Sequence, residues 1–369
     1  MVKHFQFSRR QFMQWSAAGA VASVARPAAA LNPASSENVV GRAKSAATGP
    51  AVSRLQISNP ARIKALQLTD IHYFGSTQVP ALDRKTNEDL PRLLDVAQPD
   101  LVMLTGDLWH ENPDGNGREY MEYGVAQLEK LGVPWLFVWG NHDKLDDYAS
   151  GHDYLAAAKG SLYAGGATGG NYVVELADAA GAVRWELPCL NSSEVGVDAP
   201  VLDWLNGLAA ERGEAKRVPA LGVVHIPLTQ YQDIWDEGIS EGIKLESVAS
   251  WETEPTAFEA WKQACGLRGV VCGHDHINNY SGVYEDVELV YGQATGSAGY
   301  GGDTIPKGGR LYTFNAESGS FASEVLFPDG TRWNAPEGWS TEAVLDIPWD
   351  THKKRMVERR KRLFGDDAQ

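Results

Sequence analysis

Five hydrophobic runs that each stop at a small polar cluster restrict this chain more than any other feature. Ile63 to Leu68 ends at Asp70-Ile71-His72, and Leu101-Val102-Met103-Leu104 ends at Gly106-Asp107. Val133 to Trp139 ends at Gly140-Asn141-His142-Asp143, and Leu221 to Val224 ends at His225. Val270-Val271-Cys272 ends at Gly273-His274-Asp275-His276. Short apolar runs bounded by turn residues read as buried strands. A glycine at the end lets the backbone turn sharply. In open α/β sheets, sites gather at the carboxyl ends of strands. A Gly-His-x-His stretch alone fits two ordinary loop histidines equally well; the four runs upstream change that reading.

The donors gathered in this way are Asp70, His72, Asp107, Asn141, His225, His274 and His276. Oxygen and imidazole donors without thiolate suit zinc, iron, manganese or similar ions. Seven ligands exceed one tetrahedral site. Two ions sharing a bridging carboxylate use them all, and ions ~3.5–4 Å apart can activate a water and clamp a phosphoryl group.

Between the runs the pattern alternates strand with helix. Leu90 to Ala97 and Tyr120 to Leu131 have helical spacing, as do Leu202 to Leu208 and Phe258 to Cys265. Tyr172 to Leu176 and Val183 to Leu190 alternate across Ala180-Gly181, which predicts an antiparallel hairpin. Val287 to Tyr291, Leu311 to Phe314 and Phe321 to Leu326 read as further strands. The early helix–strand alternation and the strand-rich second half predict an α/β protein of two packed sheets flanked by helices.

The ends read differently. Residues 1–30 hold Lys3, Arg9, Arg10 and Arg26 with no acids, a modest apolar stretch from Ala17, and Ala28-Ala29-Ala30. That is the form of an export signal. The arginine pair followed by Gln11 and Phe12 resembles a twin-arginine signal, with the twin-arginine export machinery as implied partner. Met13 and Gln14 depart from that pattern, so an ordinary secretory signal stays open. The expected location is periplasmic or secreted. Residues 31–60 lack periodicity and read as a linker. Residues 61–335 form the main domain, and 336–369 a basic tail, read as a solvated helix.

Net charge is −15 over 369 residues, although the first thirty are basic. An acidic body excludes a general nucleic-acid binder, which needs a positive face for phosphates. No run reaches the ~18 apolar residues of a membrane span, so no stable anchor is expected. Cys189, Cys265 and Cys272 are too few for a disulfide framework.

The ordered set Asp70-x-His72, Gly106-Asp107, Gly140-Asn141-His142-Asp143, His225 and Gly273-His274-Asp275-His276 resembles the calcineurin-like metallophosphoesterase superfamily. The resemblance covers about residues 62–315. The stretches at His225-Ile226-Pro227-Leu228 and Tyr231, at His276 and Asn278, and at Tyr291-Gly292 with Ala294-Thr295-Gly296 further resemble its short purple-acid-phosphatase-like branch. The resemblance implies a four-layer α/β/β/α sandwich of two mixed sheets flanked by helices. It implies two metal ions (iron, manganese or zinc), the first held by Asp70, His72 and His276, the second by Asn141, His225 and His274, with Asp107 bridging. It implies His142 near the leaving group, as a proton donor or a stabiliser of the transition state, and a bridging hydroxide as nucleophile.

One position departs from the pattern. Purple acid phosphatases place a tyrosine three residues after the bridging aspartate, and here that residue is His110. A substrate contact, an additional ligand and a solvent-facing position are all open for it. Asp143 and Asp275 read as structural, and His152 as a surface residue. The glycine-rich run Gly296 to Gly302 reads as a substrate loop or a plain connection. Tyr73, Trp109 and Tyr300 read as pocket or core. The leading expectation is hydrolysis of a small-molecule phosphomonoester. Its rivals are a phosphodiesterase, cyclic-nucleotide types included, and an exported metal- or phosphate-binding protein without turnover.

Overall fold

Continuous apolar runs mark strands buried on both faces, and these runs build the centre of each sheet here. The fold comes from a computed structural model that describes residues 51–192, 195–213, 217–252 and 256–333, with Lys354 and Glu358 beyond them. The chain runs β1 (Val52–Gln56), β2 (Ile63–Leu68), α1 (Pro80–Ala97), β3 (Leu101–Leu104), α2 (Gly117–Leu131) and β4 (Trp135–Phe137). Then come α3 (Tyr148–Ala157), β5 (Tyr172–Ala177), β6 (Val183–Cys189), α4 (Ala199–Arg212), β7 (Pro219–Val223), α5 (Gln230–Asp236) and β8 (Ser240–Glu241). It closes with α6 (Ala257–Ala264), β9 (Gly266–Cys272), β10 (Ser281–Tyr284), β11 (Val287–Tyr291), β12 (Gly309–Asn315), β13 (Ser320–Leu326) and β14 (Arg332–Trp333).

The strands form two mixed sheets. One has six strands in the order β14-β13-β12-β2-β3-β4, the other eight in the order β1-β5-β6-β7-β9-β11-β10-β8. In the first, β2, β3 and β4 are parallel. In the second, β7, β9 and β11 are parallel. The inner faces pack on each other: the Trp185 and Phe314 rings lie 4.8 Å apart across the interface. Gln67 crosses the same interface, donating to Thr105 Oγ1 at 2.8 Å and to the Cys272 carbonyl at 2.9 Å. The Tyr312 hydroxyl donates to its Oε1 at 2.7 Å. A buried amide satisfied on both ends ties the sheets at one register, where an orphaned one would cost ~1–3 kcal/mol.

Helices cover both outer faces. Leu90, Leu93 and Ala97 of α1 and Met121, Val125 and Leu128 of α2 are buried against the six-stranded sheet. Leu205 and Leu208 of α4, Tyr231 and Ile234 of α5 and Phe258 and Trp261 of α6 pack with Val270, Cys272, Leu289 and Tyr291 of the other. This is the four-layer α/β/β/α arrangement. Pro80 starts α1 at the position where its missing N–H costs nothing, and Gly132, at φ 69°, ends α2.

Two expectations need correction. The linker expected over residues 31–60 gives way at its end to β1, which pairs in parallel with β5 as an edge strand. Leu55 and Ile57 are buried there, so this segment is held by packing on one side only. The rest of that linker, the expected export signal and most of the expected tail lie outside the described residues; Lys354 and Glu358 are helical and exposed. His152 is half-buried rather than on the surface. Its Nδ1 lies 2.5 Å from the Tyr163 hydroxyl.

Candidate metal centre

The two parallel strand trios point their carboxyl ends at one place. The segments after β2 and β3 run side by side: Asp70 N–H donates to the Gly106 carbonyl (3.2 Å), His72 N–H to Asp107 (2.9 Å) and Tyr73 N–H to Leu108 (3.0 Å). Asp70, His72 and Asp107 take left-handed backbone, with φ 53°, 54° and 53°, and His274 has φ 75°. Non-glycine residues there cost ~1–3 kcal/mol each and cluster at functional sites. The motif glycines let the strand ends close in. A Cβ on Gly140 would lie 2.2 Å from Asp107 Oδ1, and one on Gly106 2.5 Å from His225 Nδ1.

Three donor clusters result among the described residues: Asp107 belongs to two of them, and His72, His110 and His142 form the third. Asp70, His72, Asp107 and His276 bring their donor atoms within 4.8 Å of one another, all four residues buried; so do Asp107, His225 and His274. In the first cluster, His276 Nε2 lies 3.1 Å from Asp70 Oδ1 and 3.1 Å from His72 Nε2. His72 Nε2 lies 3.6 Å from Asp107 Oδ2. In the second, His225 Nε2 lies 3.3 Å from Asp107 Oδ2 and 3.0 Å from Asn141 Oδ1. All seven expected ligand residues thus lie together.

Hydrogen bonds behind the rings set which nitrogen faces inward. His225 Nδ1–H donates to the Thr105 carbonyl at 2.7 Å, and His276 Nδ1–H to the Tyr300 carbonyl at 3.2 Å. Each ring thereby turns Nε2 to the carboxylates, which is how outer partners orient ligating histidines. His110 takes this outer place for His72: their Nδ1 atoms lie 3.1 Å apart.

Electrostatics ask for positive charge here. Among the described residues, the ion pairs of Asp70 and Asp107 are all with imidazoles. Burial would raise the Asp107 carboxyl, but the adjoining His225 imidazole outweighs it and holds Asp107 well below the usual carboxylate range. Burial opposes charge on His225, yet Asp107 lifts it to about 10. Burial, with the neighbouring His225, depresses His274 to about 3, so it is a neutral donor. Buried carboxylates faced by imidazole nitrogens, with neither lysine nor arginine paired to them among the described residues, make a donor set that fits two metal ions.

Asp143 and Asp275 serve the backbone. Asp143 Oδ2 accepts from the N–H groups of Asp107 and Gly140, each at 2.8 Å, and Oδ1 accepts from Trp109 N–H at 3.2 Å. Burial and the nearby Asp107 charge push Asp143 up to about 8. Asp275 accepts from the Tyr291 hydroxyl at 2.6 Å and from Ala249 N–H at 3.2 Å. Tyr73 and Trp109 are wholly buried.

A cavity of about 290 Å³ opens over the clusters, lined by residues that include Asp107, His142, His274, His276, Glu246 and Tyr300. His142 is fixed from two sides. Its N–H donates to Asp107 Oδ1 at 2.8 Å, and its Nδ1 lies 2.7 Å from Glu111 Oε1. Glu111 Oε2 pairs with Lys144 at 2.8 Å. Burial works against a proton on His142, but the Glu111 hydrogen bond and the Asp107 charge raise its pKa above the ordinary value. Glu111 is a residue that sequence reasoning passed over, as are Glu246 and the half-exposed Trp251, whose ring meets His274 edge-on at 4.9 Å.

Fold and donor clusters together define a metallophosphoesterase. Residues 63–278, more than half of the chain, match the calcineurin-like phosphoesterase family, and the protein belongs to it. An uncharacterised protein of Schizosaccharomyces pombe is 28% identical over 260 residues, 64% of this chain and 49% of that protein. The match thus spans about half the length of that relative. The protein named probable inactive purple acid phosphatase 28 of Arabidopsis thaliana is 23% identical over 295 residues, 67% of this chain and 74% of that one. Among solved structures, a dimetal phosphatase from Danio rerio aligns with a TM-score of 0.47 at 10% identity, over 72% of this chain and 99% of that chain.

Proposed function

We propose that this protein is a phosphoesterase that hydrolyses phosphomonoesters at a two-metal centre. The observation that carries it is the position of Asp107, shared between two donor clusters beneath an open cavity. Asp70, His72, Asp107 and His276 would hold the first ion, and Asp107, Asn141, His225 and His274 the second. When bound, such a pair supplies Lewis acidity toward a phosphoryl oxygen and lowers the pKa of a water. The donor set suits iron, manganese or zinc.

The side chains contribute positioning and a proton. Glu111 sits 2.7 Å from His142 Nδ1 as its ion-pair partner, which leaves Nε2 as the nitrogen to give a proton to the departing oxygen. Asp107 grips the main chain of His142, which places donor and ligand in one rigid unit. Asp143 holds the turn that presents both. Hydrolysis of an aryl phosphate, measured before and after chelation and again after adding back manganese or zinc, tests the reading. Turnover lost and restored supports it. Two bound ions with no turnover on any phosphoester would make the protein a metal-binding relative without turnover instead; the Arabidopsis protein carries the word inactive in its name.

A phosphodiesterase is the second reading, favoured by one observation. Among the described residues, neither lysine nor arginine lines the cavity, and nearby Lys144 is paired with Glu111. The second negative charge of a monoester thus meets neither lysine nor arginine in that lining. Comparing an aryl phosphate with a bis-aryl phosphate separates the two. Export rests on residues 1–30, and an N-terminus near residue 30 in protein recovered outside the cytoplasm would support it.

A further inference from the structure

The glycine-rich run after β11 lies flat on the first site. A Cβ on Gly296 would sit 1.9 Å from the Ile71 carbonyl oxygen, and one on Gly299 would sit 3.0 Å from both His276 Cε1 and His72 Cδ2. Glycine alone allows a backbone this close to two imidazoles. The next residue, Tyr300, stacks on His276 with ring centroids 3.8 Å apart and an angle of 11°. Besides accepting from His276 Nδ1–H through its carbonyl, Tyr300 accepts from the His276 main-chain N–H through its hydroxyl at 3.3 Å. That hydroxyl donates to Glu246 Oε2 at 2.8 Å. Glu246 Oε1 accepts from Ile277 N–H at 2.8 Å. Asn278 then ties Glu246 back, its Oδ1 accepting from Leu245 and Glu246 N–H at 3.0 and 3.2 Å. His276 is therefore enclosed by a ring stack, two hydrogen bonds to one tyrosine and a carboxylate that braces that tyrosine.

His274, two residues earlier, has a looser setting. Its N–H lies 3.2 Å from Asp70 Oδ2, and its ring meets Trp251 and His225 only at their edges, 4.9 and 5.2 Å between centroids.

We propose that Tyr300 and Glu246 are positioning residues that lock His276 and make the first metal site the tighter of the two. The inference rests on the two-metal reading above. A ligand held in one rotamer and one tautomer loses less entropy on binding, and removing such outer partners weakens metal affinity ~10–100-fold.

The test is calorimetric titration of metal-free full-length protein with manganese or zinc. Wild type is expected to bind two ions in two separable steps. Tyr300→Phe keeps the stack and the carbonyl but loses the hydroxyl, and should weaken the tighter step ~10-fold. The weaker step should hold within about twofold. Tyr300→Ala, which also loses the stack, should weaken the tighter step further. Glu246→Gln should match Tyr300→Phe, and the double variant should add little, as expected for one chain of contacts. Asp70→Asn, which disables the first site, assigns the steps: on that background Tyr300→Phe should change nothing.

Constants unchanged in Tyr300→Phe would overturn the inference, as would both steps weakening together. Wild type that binds fewer than two ions would instead sink the two-metal reading. Should Glu246→Gln fail to fold, Tyr300→Phe still decides.

Discussion

The two halves of the metal centre share a carboxylate yet are built differently. On one side Asp70, His72 and His276 are buried, with 1%, 3% and 3% of their surface exposed, and an outer ring of His110, Tyr300 and Glu246 stands behind them. On the other, His225 is buried, but Asn141 and His274 are half-buried, and His274 lines the cavity. The difference shows how one site can hold an ion and still admit a substrate. Charged or polar ligands buried on every side need full hydrogen bonding to offset lost hydration, and the first side has it. The second keeps an approach for substrate at the cost of looser ligands.

The sharpest way to break this comparison is to remove what the halves share. Asp107→Asn should empty both sites and abolish turnover, with metal content read by elemental analysis. Retention of one ion would mean that Asp107 serves a single site. His142→Ala comes next. It should keep both ions and lose ~10²–10⁴-fold in turnover, because it removes a proton donor and no ligand. A fall in metal content would show that His142 ligates.

His110→Phe probes the first half through metal affinity, while a phenyl ring can keep the stack on His142 at 4.9 Å. Taking the partner from His72 Nδ1 should weaken the tighter ion ~10–100-fold and leave the other unchanged. Equal losses at both sites would contradict the division drawn here. Glu111→Gln should be milder, lowering turnover about tenfold with metal content and thermal midpoint held, since it removes the charge that raises the His142 pKa but keeps the ring. No change in turnover would leave Glu111 as a surface partner.

The donors and the layers were readable from sequence because both follow one rule. Buried parallel strands need continuous apolar runs, and their ends need turn residues, so Gly106, Gly140 and Gly273 flag the site from within the strand pattern. The order of strands was not readable, since β9 joins β7 and β11 across long connections. Strand β1 hid because an edge strand packed on one side needs few apolar residues. The supporting residues were the hardest to see. Glu246 and Tyr300 stand 54 positions apart and meet only through the fold. Glu111 follows His110 in a loop that reads as solvent, yet its carboxylate turns inward to His142. Ligands repeat a motif; the groups that hold them answer to local geometry.

Metal content and aryl phosphate turnover, measured together on wild type and Asp107→Asn, bear most directly on the shared carboxylate. The expected result is about two ions per chain with chelator-sensitive hydrolysis in wild type, as a two-metal site requires, and neither ions nor hydrolysis in the variant. Asp107→Asn protein that keeps two ions, or wild type that hydrolyses the ester unchanged after chelation, would contradict the account.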